Sequence, residues 1–433
     1  VPTNDVVIIG GGVSGLGFAY HAARAGRAVH LIEDQPRAGG CVDTRTSADG
    51  FWIELGAHTC YNSYGAFIEL LEGLDLLGEL QPRGKPVLRL LEGDAILPGQ
   101  NLGALLRRMN LWELVRCLPR MFWTSQDGQT VRSYYSRIVG ERNYDRALGP
   151  MLSAVPSQRA DGFPADMLFK KRPRRKDILR SFTLKGGLGV VADRILRLPG
   201  VTISTGRAAA TVERDGAGFV VTLTDGERIS AELVAIATPP RAAARLLSQI
   251  LPAVAGSLSQ LGEATVDSLG VVVRADQVAR VPYSTFLIPA GPAASAGPSA
   301  SAGPAGRSGG GGDIFHSVVT RDVVPDPSWR GFVFHFQPGH AEDVKLARAG
   351  ALLGIPPADF AHVTGRRTVL PSPALGHRDV IARLDAALAA EPIAVTGNWF
   401  AGLAIEDCVL RSRAEWQRVA GSPQAARATA RAS

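Results

Sequence analysis

Apolar positions along this chain follow two periods. Residues 5–9 carry the uninterrupted run VVII, read as a buried parallel strand. Residues 14–25 turn to a helical pattern rich in Ala and Leu, which Gly26 ends. AVHLIE at 28–33 is a second strand. Strand, glycine turn, helix and strand follow one another within about 30 residues, the mononucleotide-binding unit of an α/β fold. From Leu70 to about Arg180 the pattern is mainly helical. Within 101–123, Leu102, Leu105, Leu106, Met109, Trp112 and Val115 fall at helical spacing, with Arg107, Arg108, Arg116 and Arg120 supplying charge. The plainer reading is a core-facing helix with solvated arginines. The alternative is a helix that dips into a membrane interface.

Residues 187–200 are helical again, and hairpin strands follow: VTISTG, then ATVERDGAGFVVTLTDGERISAELVAIA, with DGAG and TDGE as turns. The segment 289–312 is low-complexity and reads as a flexible loop between two strands of one domain, since FLI precedes it and DIFHSVVT and GFVFHF follow. A domain linker is the weaker alternative. The Ala/Arg-rich tail after Ala420 is expected to fray.

Composition narrows the class. The chain has 433 residues, 45% of them hydrophobic, enough for two domains or one large interwoven pair. Four cysteines without CxxC spacing indicate neither a disulfide framework nor a metal site, and a reducing cytoplasm is the simpler setting. No basic n-region precedes the first strand, so no signal peptide is expected, and no run reaches the roughly 18 apolar residues of a membrane span. A net charge of +7 permits an anionic surface or substrate without requiring one. KKRPRRK (170–176) reads as a solvated loop. It lacks interleaved aromatics, so no nucleic-acid partner is expected.

The chemistry begins at Gly10-Gly-Gly12-Val13-Ser14-Gly15. The first glycine permits a tight turn, the second lets the backbone approach a pyrophosphate, and the third lets helix and strand pack closely. The helix that opens at Val13 and Ser14 offers free amides to phosphate. Glu33, 18 residues beyond Gly15, ends the next strand with Asp34 beside it. Its carboxylate suits the adenosine ribose hydroxyls and opposes a 2′-phosphate, which disfavours NADP.

PRAGG (36–40) then resembles the RxGG element of the glutathione-reductase-type FAD fold, in its flavin amine oxidase and protoporphyrinogen oxidase branch. The resemblance implies that Arg37 contacts the ribose or pyrophosphate end of FAD and that Gly39 and Gly40 let the chain pass close by. ELGAHT (54–59) resembles the element that passes the isoalloxazine ring, which implicates Gly56, Ala57 and His58. IAVTGNWFAGLAIEDCVLRSRAEWQRVAG (393–421) closely resembles the branch's C-terminal flavin motif. It implies Gly397 and Asn398 at the ribityl chain. Gly402, Ala404 and Ile405 would lead into a helix whose amides face the flavin N1/O2 edge, where reduced flavin is anionic. FTLKGGLGVVADRI, AAATVERDG and VAIATPP resemble middle elements of the same fold, and put Ala209 beside the adenine.

The implied fold is α/β. A Rossmann-like FAD domain is assembled from 1–75, 181–245 and 366–425. A mixed α+β substrate domain with a helical part comes from 76–180 and 246–365. The implied activity is an FAD-dependent oxidoreductase that removes hydride from a C–H or C–N site of a small, lipophilic or cyclic substrate. ALGH followed by a helix and TGN is closer to protoporphyrinogen oxidase than to an amine oxidase. The stretch 368–388 has no Cys, so FAD is expected to be non-covalent. No second GxGxxG appears, which favours O₂ or a quinone as acceptor. Phytoene-desaturase-type and hydroxysqualene-type enzymes share these motifs and stay open. So do a UDP-galactopyranose-mutase-type isomerase, whose Arg pair is not recognisable here, and a flavin-binding protein without turnover. His58, Tyr61, Tyr64, Trp399 and Phe400 are pocket candidates that also read as packing. His316 reads as a strand histidine, and Cys60 and Cys408 as small buried apolar residues. The location implied is cytoplasmic, with peripheral membrane contact by 101–123 as an open alternative. Oligomeric state is not legible.

Overall fold

The computed structural model describes residues 4–57, 59–84, 87–97, 109–279, 281–290, 313–321 and 326–421. Two seven-stranded sheets organise it. In the first, the strands run in the order Val201–Ser204, Val29–Ile32, Asn4–Ile9, Arg228–Ile236, Gly218–Leu223 and Ala209–Asp215, and Ile393–Val395 also pairs with Arg228–Ile236. The strands around Asn4–Ile9 are parallel, as an uninterrupted VVII run requires, because both faces must be covered. Val6 and Ile8 face the helices Val13–Arg24 and Ile405–Ala420, while Val7 and Ile9 face Pro240–Leu247, Pro252–Leu258 and His377–Leu388. The expected hairpin between Ala209–Asp215 and Gly218–Leu223 is present, turning at Gly216 with φ +56°.

The second sheet runs His362–Pro371, Glu263–Arg274, Trp329–Phe336, Phe315–Thr320, Thr285–Pro289, Val87–Glu92 and Ala95–Ile96. Helix Glu342–Leu353 covers one face of it over Phe332, Phe334 and Phe336. On the other face, Val272 and Val333 meet Ile53 and Leu55. A Cβ on Gly270 would lie 2.5 Å from Ile53, so glycine there admits the contact. A helical lobe around Val131–Val139 has its own small core and docks on this sheet where Ala154 and Met151 meet Leu90, Phe286 and Ile288.

Three expectations change. The mainly helical reading of 70–180 misses the strands Leu80–Pro82, Val87–Glu92 and Ala95–Ile96. Val87–Glu92 is held by parallel pairing with Thr285–Pro289, a distant partner that a local pattern cannot reveal. In the 101–123 stretch, 101–108 lie outside the described residues. The rest is an α-helix at Leu111–Cys117 that tightens to a 3₁₀ turn at Leu118–Phe122, where Pro119 removes an amide. Its apolar side chains do not face a core: Trp112 is 77% exposed, Phe122 82% and Trp123 71%. Finally, KKRPRRK is not simply solvated, because Lys170 and Arg172 are bound to Asp407. The low-complexity segment lies outside the described residues from 291 to 312. It joins Thr285–Pro289 to Phe315–Thr320, which pair with each other. The tail beyond Gly421 also lies outside them.

Candidate functional site

The turn after the first strand is shaped for a ligand. Gly10 has φ +106°, and a Cβ there would press on the Ala237 carbonyl oxygen at 2.7 Å. Gly12 opens the first helix, and no side chain caps it. The nearest heavy atom to a Cβ on Gly12 would be Gly40 Cα, at 3.8 Å, so the space beyond the turn is open. Gly15 packs against the Gly10 carbonyl. Gly39 donates to the Gly11 carbonyl at 2.8 Å, and a Cβ on Gly40 would sit 2.7 Å from Gly12 Cα. The two glycine segments therefore lie edge to edge, in contact that side chains would forbid.

Glu33 stands at the end of this cradle. Its carboxylate accepts from Gly11 N at 2.6 Å and Gln35 N at 2.9 Å. Burial, with Asp34 beside it, pushes its pKa up to about 7. Its backbone carbonyl accepts from Arg207 N, which brings the entry to Ala209 alongside it. Asp34 and Arg37 are exposed, and Arg37 reaches the Thr44 carbonyl at 3.3 Å.

The next segment continues the stacking. Ala57 donates to the Cys41 carbonyl at 2.6 Å, and Leu55 to that of Asp43 at 2.9 Å. Two arginines of the second sheet hold the same strip. Arg366 donates to the Gly40 carbonyl at 2.5 Å and to Asp43 at 3.0 Å, and Arg321 donates to the Gly56 carbonyl at 3.1 Å. Glu54, fully buried, is held by Leu188 N and by Thr44, and burial raises its pKa to about 7. His58 lies outside the described residues.

The C-terminal motif meets the first one. Ser412 donates to the Ser14 carbonyl at 2.7 Å, and Gly17 admits the crossing, since a Cβ there would lie 3.3 Å from Ser412. Cys408 bonds Ser14, and burial raises its thiol pKa. The helix Ile405–Ala420 starts at Ala404, again with no side-chain cap. Two uncapped helix starts therefore lie side by side, joined through Ser14 and Ser412. Upstream, Gly397 is buried and Asn398 half-buried. Trp399 is a packed residue, 2% exposed, stacked on Phe400 at 4.0 Å and donating to the Thr238 carbonyl at 3.2 Å. Its ring belongs to the core beneath the turn. A Cβ on Gly402 would come within 2.5 Å of Asp407.

Facing this cradle, the second sheet carries a polar row that the sequence reading missed. Arg366, Ser268, His335 and Ser317 oppose one another across four strands, on the face that also carries Val272 and Val333. His335 Nδ1 lies 3.0 Å from Ser268 Oγ. Burial, and then the charge of Arg321, lowers its pKa to about 3, so the ring is neutral. His316 next to the row is likewise lowered to about 4 by burial. Tyr61 is 43% exposed and packs edge-on against Tyr64 at 5.6 Å. Among the described residues, no group of three His, Cys, Asp or Glu could hold a metal.

The cradle fits a dinucleotide with a flavin: two uncapped helix starts, an open Gly12, and a buried carboxylate beside the glycine turn. Comparison agrees. A family model described as flavin containing amine oxidoreductase matches residues 13–272. The coproporphyrinogen III oxidase of Propionibacterium freudenreichii subsp. freudenreichii is 24% identical, across 94% of this chain and 89% of its own. A structure from Exiguobacterium sp. 255-15 assigned as a protoporphyrinogen oxidase superposes with TM-score 0.74 at 20% identity, covering 96% of this chain and 98% of that one. Reduced UDP-galactopyranose mutase superposes with TM-score 0.70 at 15% identity, covering 96% and 95%.

Proposed function

The chain belongs to the family of flavin-containing amine oxidoreductases, and from that premise we propose that it oxidises a porphyrinogen. It is an FAD-dependent oxidoreductase. The observation that supports the substrate class is the sequence match along 94% of the chain to a coproporphyrinogen III oxidase, where the sequence matches to a monoamine oxidase and an L-amino-acid oxidase cover 27% and 12% of it.

In this reading FAD lies non-covalently along the strip. The amides at Val13, Ser14 and Gly15, with Gly10 and Gly12, hold the pyrophosphate. Glu33 and Asp34 accept from the adenosine ribose, Ala209 lies at the adenine, and Arg37, Gly39 and Gly40 flank the phosphates. Gly56 and Ala57 lie at the flavin ring. Gly397, Asn398, Gly402, Ala404 and Ile405 hold the ribityl chain and the N1/O2 edge. The first sheet with its helices is the cofactor domain, and the second sheet with the helical lobe is the substrate domain. The flavin, when bound, supplies the hydride acceptor, and O₂ or a quinone takes the electrons on. The chain's own task is to orient the substrate between strip and polar row. Neutral His335, fixed by Ser268, offers the substrate a hydrogen-bonding group on the polar row, and its lowered basicity keeps it from taking a proton.

The test is anaerobic mixing of the FAD-loaded protein with coproporphyrinogen III, protoporphyrinogen IX, putrescine and L-phenylalanine. Bleaching of the flavin bands by a porphyrinogen alone is the expected result. Bleaching by an amine alone overturns the substrate class. Bleaching by none, with UDP-galactopyranose interconverted after chemical reduction, establishes the isomerase instead.

The exposed helix supports a second proposal, peripheral attachment to an anionic lipid surface. Leu111, Trp112, Val115, Phe122 and Trp123 stand out from the lobe, with Arg116 and Arg120 among them. No described helix is long and apolar enough to cross a membrane. An aromatic face ringed by arginine suits lying at the interface.

A further inference from the structure

The segment that leaves the helical lobe after Leu168 crosses the mouth of the C-terminal helix. That helix carries two acids in its first turn, Glu406 and Asp407. Both are nearly buried, at 4% and 7% exposure, and both are answered. Glu406 accepts from Ala66 N and Phe67 N at 2.9 Å each, capping the helix Gly65–Gly73. Asp407 accepts from Arg172 with both oxygens at 2.8 Å, and from Lys170 at 3.1 Å. Lys170 also donates to the Ala401 carbonyl, inside the turn that delivers the helix.

A carboxylate in the first turn helps the helix itself, but it opposes any anion bound at the helix end. Here the anion is the reduced flavin, which carries one negative charge that the oxidised form lacks. An uncancelled carboxylate at the mouth therefore disfavours reduction. Two cations from the substrate side face two first-turn carboxylates, and the cluster is neutral as a whole. Arg411, the next cation along the helix, lies 3.6 Å over the Phe400 ring and is bound by Asp385 and Glu415, so its charge is balanced there.

We propose that Lys170 and Arg172 cancel the first-turn acids of the C-terminal helix, so that its amides present an undiminished positive end and hold the bound flavin's reduction potential up. They are positioning residues, acting through Asp407. The proposal rests on the reading that the Ala404 and Ile405 amides face the flavin.

The experiment is the midpoint potential of the FAD-loaded protein, measured by photoreduction against a reference dye, with flavin occupancy and circular dichroism as checks. Arg172→Gln is expected to lower the potential, Asp407→Asn to raise it, and the double variant to return near the parent value. If Arg172→Gln does not fold, Lys170→Gln is expected to lower the potential, while Arg172→Lys, which keeps the charge, leaves it close to the parent value. Ala404→Asp places a carboxylate at the helix start and reports on the underlying reading. A potential moved by Ala404→Asp but by neither Arg172→Gln nor Asp407→Asn overturns this proposal alone. A potential moved by none of the three overturns the placement of the helix against the flavin.

Discussion

Single residues set whether the cofactor is held. Gly12 has φ −72° and ψ 179°, a conformation that valine adopts without strain, and nothing but Gly40 Cα stands near its missing side chain. Gly12→Val should therefore fold and lose FAD, which a colourless but normally dichroic protein would show. Retention of stoichiometric yellow would place the pyrophosphate elsewhere. Glu33 makes a pH-dependent contribution. Its pKa in the cofactor-free protein is raised to about 7, and ribose hydroxyls donate to the ionised form. FAD binding then releases a proton below that pH. FAD affinity should rise as pH increases from 5 to 7 and flatten above it. Glu33→Gln should bind more weakly and lose most of that slope, as fluorescence titration would read. Across the gap, His335→Leu should weaken substrate binding about tenfold, the loss of one hydrogen bond. Its flavin spectrum and FAD occupancy should stay those of the parent. A parent-like KM would remove the ring from the substrate site.

At the scale of elements, the exposed helical segment makes its own prediction. Burying Phe122 alone in a lipid interface is worth about 2 kcal/mol, and each arginine near an anionic surface about 1 kcal/mol. A variant with Trp112, Phe122 and Trp123 changed to Ser should stop co-sedimenting with phosphatidylserine vesicles, and the parent should release them at high salt. The same segment shows where sequence reading stops. Helical spacing was legible at Leu111–Cys117, but spacing does not say whether an apolar stripe meets protein or solvent. The glycine turn, the C-terminal strand, turn and helix, and the hairpins were legible because their residues sit in unbroken local runs. The arginines were not. Arg366 and Arg367 are adjacent in one strand and so point to opposite faces. The first reaches the Gly40 carbonyl, and the second pairs with Asp267 and is 64% exposed. Period-two alternation separates the two without telling which turns inward. Lys170 and Arg172 were hidden for a related reason, since a basic run in a loop looks solvated until its partner, more than 230 positions away, is known.

For the whole molecule, the proposed placement makes the cofactor a structural tie as well as a reagent. It would join segments near residues 10, 40, 56 and 400, which are far apart along the chain. A ligand that binds only this assembled state stabilises it by about 2.7 kcal/mol at a hundredfold excess over Kd. FAD should thus raise the melting temperature of the parent by several degrees and leave that of Gly12→Val unmoved, as a thermal scan with and without added FAD would show. The crossing of Gly17 and Ser412 has a further consequence, for the order of events during synthesis. The glycine turn emerges from the ribosome long before the helix that closes over it. The strand Asn4–Ile9 also waits, because its neighbour Arg228–Ile236 is made much later, and Ile393–Val395, which pairs with that neighbour, later still. A nascent chain halted before Ser412 carries the glycine turn and still lacks the helix that packs on it. With FAD placed as proposed, its capture by the newborn protein should wait until translation has run through that helix.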